Sequence, residues 1–173
     1  MLNGLDILIL LRLALESDGR IPSKTLAEQL FISPPEVSSS LKRSEFSGLL
    51  YRSNSEKRVN RTGFLEFLSH GLRYVFPAER GTLTRGVPTA AAAEPLKAHF
   101  AQDGDPPPVW PYAHGTVRGY SFLPLHRQAP RAALRDARLY ELLALADAVR
   151  GERVRERKLA IEELTRRLRE GHA

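Results

Sequence analysis

The chain of 173 residues contains no cysteine. This absence excludes a disulfide scaffold, a thiol nucleophile and any thiolate-ligated zinc or iron–sulfur site, and it fits a reducing cytoplasm. Long hydrophobic runs are also missing, because the most apolar stretch, Leu5 to Leu15, is too short to span a bilayer and contains Asp6 and Arg12. No basic residue precedes this stretch and no small-residue cleavage site follows it. We therefore expect a buried helix in a cytoplasmic protein, not a signal peptide or a membrane span.

The patterns of catalytic and metal-binding sites are missing as well. The five histidines show no repeated ligand spacing, and the glycines at Gly81 and Gly86 are not followed by the Gly-Lys-Ser/Thr of a phosphate-binding loop. The serine run from Ser38 to Ser40 has no adjacent histidine to activate it. We therefore expect that the protein is not an enzyme and that it binds no metal and no cofactor.

Proline divides the chain into three parts. Nine of the twelve prolines lie between Pro77 and Pro130, and none follows. The predicted organisation is an N-terminal domain over 1–76, a Pro/Gly-rich segment or small subdomain over 77–135, and C-terminal helices over 136–173. The net charge of +6 is spread over all three parts, so it is only weak evidence for a nucleic-acid partner.

Hydrophobic spacing predicts three helices in the N-terminal part. The first would end at Asp18-Gly19, and the second would run over 23–30 with Ser23 as its cap. In the third, Ser33 followed three residues later by Glu36 is typical of a capping box, and Gly48 would end the helix. The residues after Gly48 are strand-like over 49–52 and again over 57–60, with a polar turn between them, and helical spacing resumes near Thr62.

A helix, a short helix, a tight turn, a third helix and a basic hairpin form the layout of a winged helix-turn-helix. Two helices joined by a short turn cross steeply, which requires a small residue such as Ala27 where they touch. Ile32 can fill the turn, and Val37 and Leu41 can anchor the third helix. The opposite face of that helix is then free to enter a DNA major groove.

The stretch Leu26–Arg43 (LAEQLFISPPEVSSSLKR), followed by Gly48-Leu49-Leu50, resembles the winged-helix bacterial regulators of the MarR-like kind. The resemblance covers about the first 75 residues, and Phe31 stands where a glycine is common in the turn. It implies a mainly α fold with a small β-wing, in which helix 34–46 enters the major groove and the basic wing 50–61 contacts flanking DNA.

Each residue of this surface has an expected role. The short serines can bond base edges or phosphates, the two prolines can contact thymine methyls, Arg43 can bind phosphate or read a guanine, and the wing reaches backbone or minor groove. The predicted DNA-binding residues are Ser33, Pro34, Pro35, Ser38, Ser39, Lys42, Arg43, Arg52, Lys57, Arg58 and Arg61. Two alternatives stay open, namely that the serine run is only a solvated helix face and that the helix-turn-helix binds a protein.

The middle segment contains too many aromatic residues for a plain linker, among them Trp110 and Tyr120. It predicts a small ordered subdomain or an arm that packs on a neighbour, with strands over 109–110 and 117–122 joined through Ala113-His114-Gly115. A pocket for a sensed ligand is an alternative.

The C-terminal part predicts a helix over 136–150 and, beyond Gly151, a heptad-like apolar seam. The seam consists of Val154, Ile161, Leu164 and Leu168. It would pack against another helix, in the same chain or in a second copy. Together with the apolar first helix it favours a homodimer, while ordinary intramolecular core is the alternative.

The function predicted from these features is a DNA-binding transcriptional regulator, a dimeric repressor that contacts double-stranded DNA. Two copies would place their third helices in successive major grooves about 34 Å apart. One alternative is an antitoxin-like or adaptor protein that grips a protein partner through residues 136–173. Another is an accessory protein that binds DNA with little sequence preference.

Overall fold

A computed structural model describes residues 1–101 and 104–170, the last of these by its backbone alone. Within these ranges the fold is mainly helical with two small sheets, as the sequence predicted in part. The helices are α1 (Gly4–Ala14), α2 (Ser23–Leu30), α3 (Pro34–Phe46), α4 (Arg61–His70), α5 (Leu72–Val75), α6 (Ala129–Arg135), α7 (Ala137–Arg150) and α8 (Val154–Glu170). The strands are β1 (Leu50–Ser53), β2 (Glu56–Val59), β3 (Arg80–Pro88), β4 (Pro108–Pro111) and β5 (Val117–Phe122), and short 3-10 helices cover Ala90–Ala92 and Leu96–His99. None of the described helices combines the length and the apolar character that a membrane crossing needs.

Helix α1 is buried on every side. Its start is fixed by a capping box in which the Asp6 carboxylate accepts the Asn3 backbone N–H at 2.8 Å and the Asn3 side chain accepts the Asp6 N–H at 3.3 Å. The five residues Ile7–Leu11 have no exposed surface. A helix that is apolar all round is stable only inside a core, and α1 accordingly packs against α3, β2 and α7.

Two predicted helix ends are wrong. Helix α1 ends at Ala14 and not at Asp18-Gly19, and Gly19 lies in the following loop with a φ of 70°. A Cβ at Gly19 would lie 2.6 Å from the Lys57 carbonyl oxygen, so glycine serves the approach of this loop to β2. Ser23 is the first residue of α2 and not its cap, because the extended Pro22 precedes the helix without any side-chain hydrogen bond.

Helices α2 and α3 pack against each other and are followed by the β1–β2 hairpin. Helix α3 begins after Ser33 and ends before Gly48, as the sequence predicted. The hairpin is antiparallel, pairs Leu50 with Val59, and turns through Asn54. Its C-terminal strand leads directly into α4, and the two strands pack against α1 and α3.

The middle segment is ordered wherever the structure describes it. Strands β4 and β5 lie where the sequence indicated them, but they pair in parallel with each other and antiparallel with β3, so that the three strands close on themselves. Gly86 of β3 faces both Pro111 and Val117. A Cβ at Gly86 would lie 1.9 Å from the Trp110 carbonyl oxygen, so this tight closure depends on glycine.

Helix α7 passes through the core and carries a buried polar cluster. The Asp147 carboxylate accepts hydrogen bonds from Thr89 Oγ1, Trp110 Nε1 and Arg150 Nη1, each at 2.7 Å. Burial raises the pKa of Asp147, while these donors favour its charged form. The cluster therefore joins α7, through one buried charge, to Thr89 directly after β3 and to Trp110 of β4.

Arg150 extends this connection. Its guanidinium donates to the backbone carbonyls of Phe76, at 2.8 Å, and of Leu123, at 3.3 Å. These carbonyls lie before β3 and after β5. One arginine thus satisfies polar groups at both boundaries of the small sheet and pairs with Asp147 as well.

The apolar seam of α8 is intramolecular. Leu164 and Leu168 are fully buried, and α8 packs against α4 and α7. Val154, by contrast, is 55% exposed. Because α1 and the seam residues Leu164 and Leu168 are buried within one chain, most of the apolar surface from which a homodimer was predicted is already covered.

The predicted boundaries near residues 76 and 135 do not separate independent cores. One continuous hydrophobic cluster includes Leu8 of α1, Leu26 of α2, Trp110 of β4, Leu143 of α7 and Leu164 of α8. The three parts of the chain therefore fold as one packed body.

Candidate nucleic-acid interface

The first turn of α3 is fixed by the predicted capping box. The Ser33 N–H donates to Glu36 Oε2 at 2.7 Å, and the Glu36 N–H donates to Ser33 Oγ at 3.4 Å. Hydrogen bonds from the Ser33 backbone and hydroxyl lower the pKa of Glu36, and the positive charge of Arg127 adds to the effect. Pro34 and Pro35 occupy the turn whose N–H groups have no helical acceptor.

One face of α3 anchors the helix in the protein. Val37 and Leu41 are buried, as the sequence predicted. Ser40 and Ser44 are buried on the same face, and their hydroxyl groups have no hydrogen-bond partner within the described structure. The inward face thus combines two apolar anchors with two unsatisfied hydroxyls.

The opposite face of α3 is open to solvent. Helical spacing places Pro35, Ser39, Lys42 and Phe46 on one stripe, and all four are exposed. Ser38 is exposed beside them. Phe46 is 92% exposed, and sequence reasoning missed it as part of this surface. The signal that could have found it is its spacing, four residues beyond Lys42.

Ser33 and Pro34 are also exposed, at the N-terminal end of this face. They lie beside a cleft of about 470 Å³ that is lined by Pro35 and Ser39 of α3, by the start of α1 and by Leu125 and His126. Burial lowers the pKa of His126, so the ring is less readily protonated than an exposed histidine. The loop that bears His126 thus borders the open face without covering it.

Arg43 is committed to an internal ion pair. Its guanidinium donates Nε to Asp6 Oδ2 and Nη2 to Asp6 Oδ1, both at 2.9 Å. Asp6 is completely buried, and this bond raises the pKa of Arg43. The pair fastens α3 to α1. The guanidinium of Arg43, which the sequence predicted to contact DNA, therefore donates Nε and Nη2 to Asp6 instead.

The hairpin presents two outward arginines. Arg52 donates to Glu45 at 3.0 Å, and Arg58, whose side chain is 61% exposed, donates to Glu56 at 2.9 Å. These are exposed ion pairs of the kind that contribute little to stability, so DNA phosphates can compete for both guanidinium groups. The hairpin therefore presents exposed positive charge close to α3.

Two other basic residues of the predicted set hold the fold together. Lys57 Nζ donates to the Ile21 carbonyl at 2.9 Å, and partial burial lowers its pKa. Arg61 donates to the carbonyls of Ala14, at 2.7 Å, and Leu168, at 3.0 Å, and burial lowers its pKa as well. Arg61 thus caps the C-terminal ends of α1 and α8.

Three further arginines lie near the α2–α3 turn and the start of α3, and sequence reasoning missed them. Arg131 and Arg135 of α6 stand over the ring of Phe31 in the α2–α3 turn, at 3.8 and 5.2 Å from its centroid, and the charge of Arg127 acts on Glu36. The spacing of Arg131 and Arg135, four residues apart after Pro130, could have indicated one face of a short helix. Nothing local in the sequence could have placed that helix against α2 and the α2–α3 turn.

Across the described ranges, no group of three or more His, Asp or Glu side chains could hold a metal ion. The comparisons add no relative to this description, since no family model, no curated protein and no solved structure matches the chain.

Proposed function

We propose that the protein is a DNA-binding transcriptional regulator, a repressor, that inserts α3 into the major groove. The observation that carries this proposal is the division of α3 into an anchored face and an open one. Val37 and Leu41 are buried, whereas Pro35, Ser39 and Lys42 are exposed. A helix held in this way is what direct reading of base edges requires.

The exposed side chains of α3 have complementary roles in this mechanism. The hydroxyls of Ser38 and Ser39 bond base edges or phosphate oxygens, and Pro34 and Pro35 contact thymine methyl groups. Lys42 carries positive charge one turn further along the helix and pairs with phosphate. Among the described residues it has no ion-pair partner within the chain, so DNA meets no internal competitor for it.

The hairpin supplies the flanking contacts. Arg52 and Arg58 exchange Glu45 and Glu56 for phosphates of the duplex, which releases counterions and makes affinity dependent on salt. Arg43, Lys57 and Arg61 position the elements and leave the set of direct contacts. A repressor binds an inverted repeat as a dimer with its reading helices about 34 Å apart, and the stoichiometry of binding tests this prediction.

The proposal is tested by fluorescence anisotropy with two labelled duplexes of equal length, one from upstream of the gene and one of random sequence. At about 0.15 M salt, specific sites bind at roughly 10⁻⁸ M or tighter, and random DNA at about 10⁻⁴ to 10⁻⁶ M. Lys42→Ala and Arg58→Ala should each reduce the slope of log affinity against log salt by about 1. Lys158→Ala, an exposed lysine on α8, is the matched control and should leave the slope unchanged.

Three outcomes contradict parts of the proposal. Equal affinity for both duplexes favours the accessory protein of low specificity. If neither duplex binds, DNA is not the partner and the adaptor is favoured. A protein partner would then contact α8, because α7 is buried and α8 is the exposed part of the C-terminal region. A wild-type slope in both Lys42→Ala and Arg58→Ala shows that DNA docks on another surface.

A further inference from the structure

The turn between α2 and α3 contains an aromatic residue in a strained conformation. Phe31 has φ 57° and ψ 40°, the left-handed region, at the position after α2 where glycine is the usual residue. A side chain in this region brings Cβ against the following carbonyl oxygen, which is unfavourable for every residue except glycine. Phe31 is only half-buried, so burial alone does not account for its presence.

The ring of Phe31 supports two arginines of α6. The guanidinium carbons of Arg131 and Arg135 lie 3.8 and 5.2 Å from the ring centroid, within the range of a cation–π interaction. The other face of α6 is buried through Ala129, Pro130, Ala132 and Ala133, and the helix packs against α2 and α7. Both guanidinium groups are therefore held beside the turn on a rigid support.

These two arginines differ from most others near α3 because they are not neutralised. Arg12, Arg43 and Arg52 each pair with a carboxylate, whereas neither Arg131 nor Arg135 has a carboxylate within 4.0 Å among the residues that the structure describes. Both side chains are exposed. Two positive charges beside one ring repel each other. A cation–π contact uses none of the five N–H donors of a guanidinium, so these donors can bind an anion.

The arginine pair lies near the N-terminal end of α3. Phe31 lies two residues before Ser33, the cap of α3, and Arg127 is close enough to Glu36 for its charge to act on that carboxylate. In helix-turn-helix proteins the N-terminal residues of the reading helix contact base edges. The turn before that helix therefore stands at the edge of the groove, where the phosphates of the duplex lie.

We propose that Arg131 and Arg135, held over Phe31, bind phosphates of the DNA strand that borders the groove entered by α3. This inference rests on the proposed function. It adds a second backbone contact, beside the α2–α3 turn, and it gives α6 a role in DNA binding. The protein then contacts a longer stretch of duplex than it would through α3 and the hairpin alone.

The first test replaces both charges. R131Q/R135Q keeps good helix formers in α6 and removes two phosphate ligands, and R155Q/K158Q, an exposed pair on α8, is the matched control. At about 0.15 M salt we expect R131Q/R135Q to weaken binding at least about tenfold and to lower the salt slope by about 2. Affinity is measured on duplexes that are lengthened one base pair at a time from either end. The wild type gains affinity when the end beside α6 is extended, and R131Q/R135Q does not.

The second test separates the ring from the charges. Phe31→Gly removes the aromatic support and relieves the left-handed strain, so thermal stability should stay near that of the wild type while DNA affinity falls. Affinity and salt slope of R131Q/R135Q equal to those of R155Q/K158Q overturn the inference while the proposed function stands. A wild-type chain that binds no duplex overturns the proposed function itself. Wild-type affinity in Phe31→Gly overturns the role of the ring.

Discussion

Arg43 of α3 and Asp6 of α1 form a bidentate ion pair, in which Nε and Nη2 each lie 2.9 Å from a different carboxylate oxygen. Asp6 is completely buried, so removal of the guanidinium leaves an uncompensated charge in the core. We expect Arg43→Ala to lower the free energy of unfolding by about 3 kcal/mol. Arg43→Lys should recover only part of this loss, because a lysine cannot make the planar paired contact.

Urea denaturation of these variants measures the effect, and Arg58→Ala, from an exposed pair, is the control that should change stability by less than about 1 kcal/mol. DNA affinity of Arg43→Ala, measured well below its melting temperature, should stay within about twofold of the wild type. An unchanged stability with a large loss of affinity would show instead that Arg43 contacts DNA.

The two buried serines of α3 lower the stability of the fold. Their hydroxyls have no hydrogen-bond partner within the described structure, and an unsatisfied buried polar group costs about 1–3 kcal/mol. We expect Ser40→Ala and Ser44→Ala each to raise the free energy of unfolding by about 1 kcal/mol. Ser38→Ala, at an exposed position of the same helix, measures the contribution of helix propensity alone. If Ser40→Ala and Ser44→Ala have the stability of the wild type after the Ser38→Ala effect is subtracted, the unsatisfied hydroxyls do not lower the stability.

The cluster around Asp147 gives a pH-dependent prediction. Arg150→Met removes the charge that opposes the effect of burial, so the pKa of Asp147 in the folded variant rises further above its unfolded value near 4. A raised carboxyl pKa means that the folded state holds the proton more tightly than the unfolded state. The variant therefore gains stability relative to the wild type as pH falls towards 4, and loses it as pH rises through the folded pKa.

At pH 7 we expect Arg150→Met to lower the free energy of unfolding by about 3–5 kcal/mol, because a buried charge loses its partner. Melting temperatures of the variant and the wild type at pH 7 and pH 5 check the trend, and other titrating groups cancel in the difference. Thr89→Val, which removes one neutral donor, is a milder control. If the melting temperature of Arg150→Met lies further below that of the wild type at pH 5 than at pH 7, the raised pKa of Asp147 is contradicted.

The sequence predicted α3 and the hairpin well because their signals are local. The capping box of Ser33 and Glu36 and the glycine at Gly48 act within a few residues. The roles of Arg43 and Arg61 depend on partners far away in the chain, in α1 and α8. A basic residue beside a reading helix has the same local pattern whether it faces DNA or a buried carboxylate, so sequence alone could not separate the two.

The same limit applies to the apolar faces and to the small sheet. The helical spacing of apolar residues in α8 identifies which side chains have to be buried. It does not identify α4 and α7, the helices that bury them. The pairing of β3 with β4 and β5 joins segments more than 20 positions apart, and α6 reaches Phe31 across about 100 positions. Local periodicity contains no information about such distant pairings.

Arg61 connects the last turns of α1 and α8, and α7 fills the space between them and the small sheet. A shortened chain that stopped at residue 76 would expose the face of α1 that packs against α7, so α1 to α4 do not form a detachable module. Under the proposed function, any signal that alters DNA affinity must therefore act by strain or repacking transmitted through the shared core, and not by rotation of one domain about a hinge.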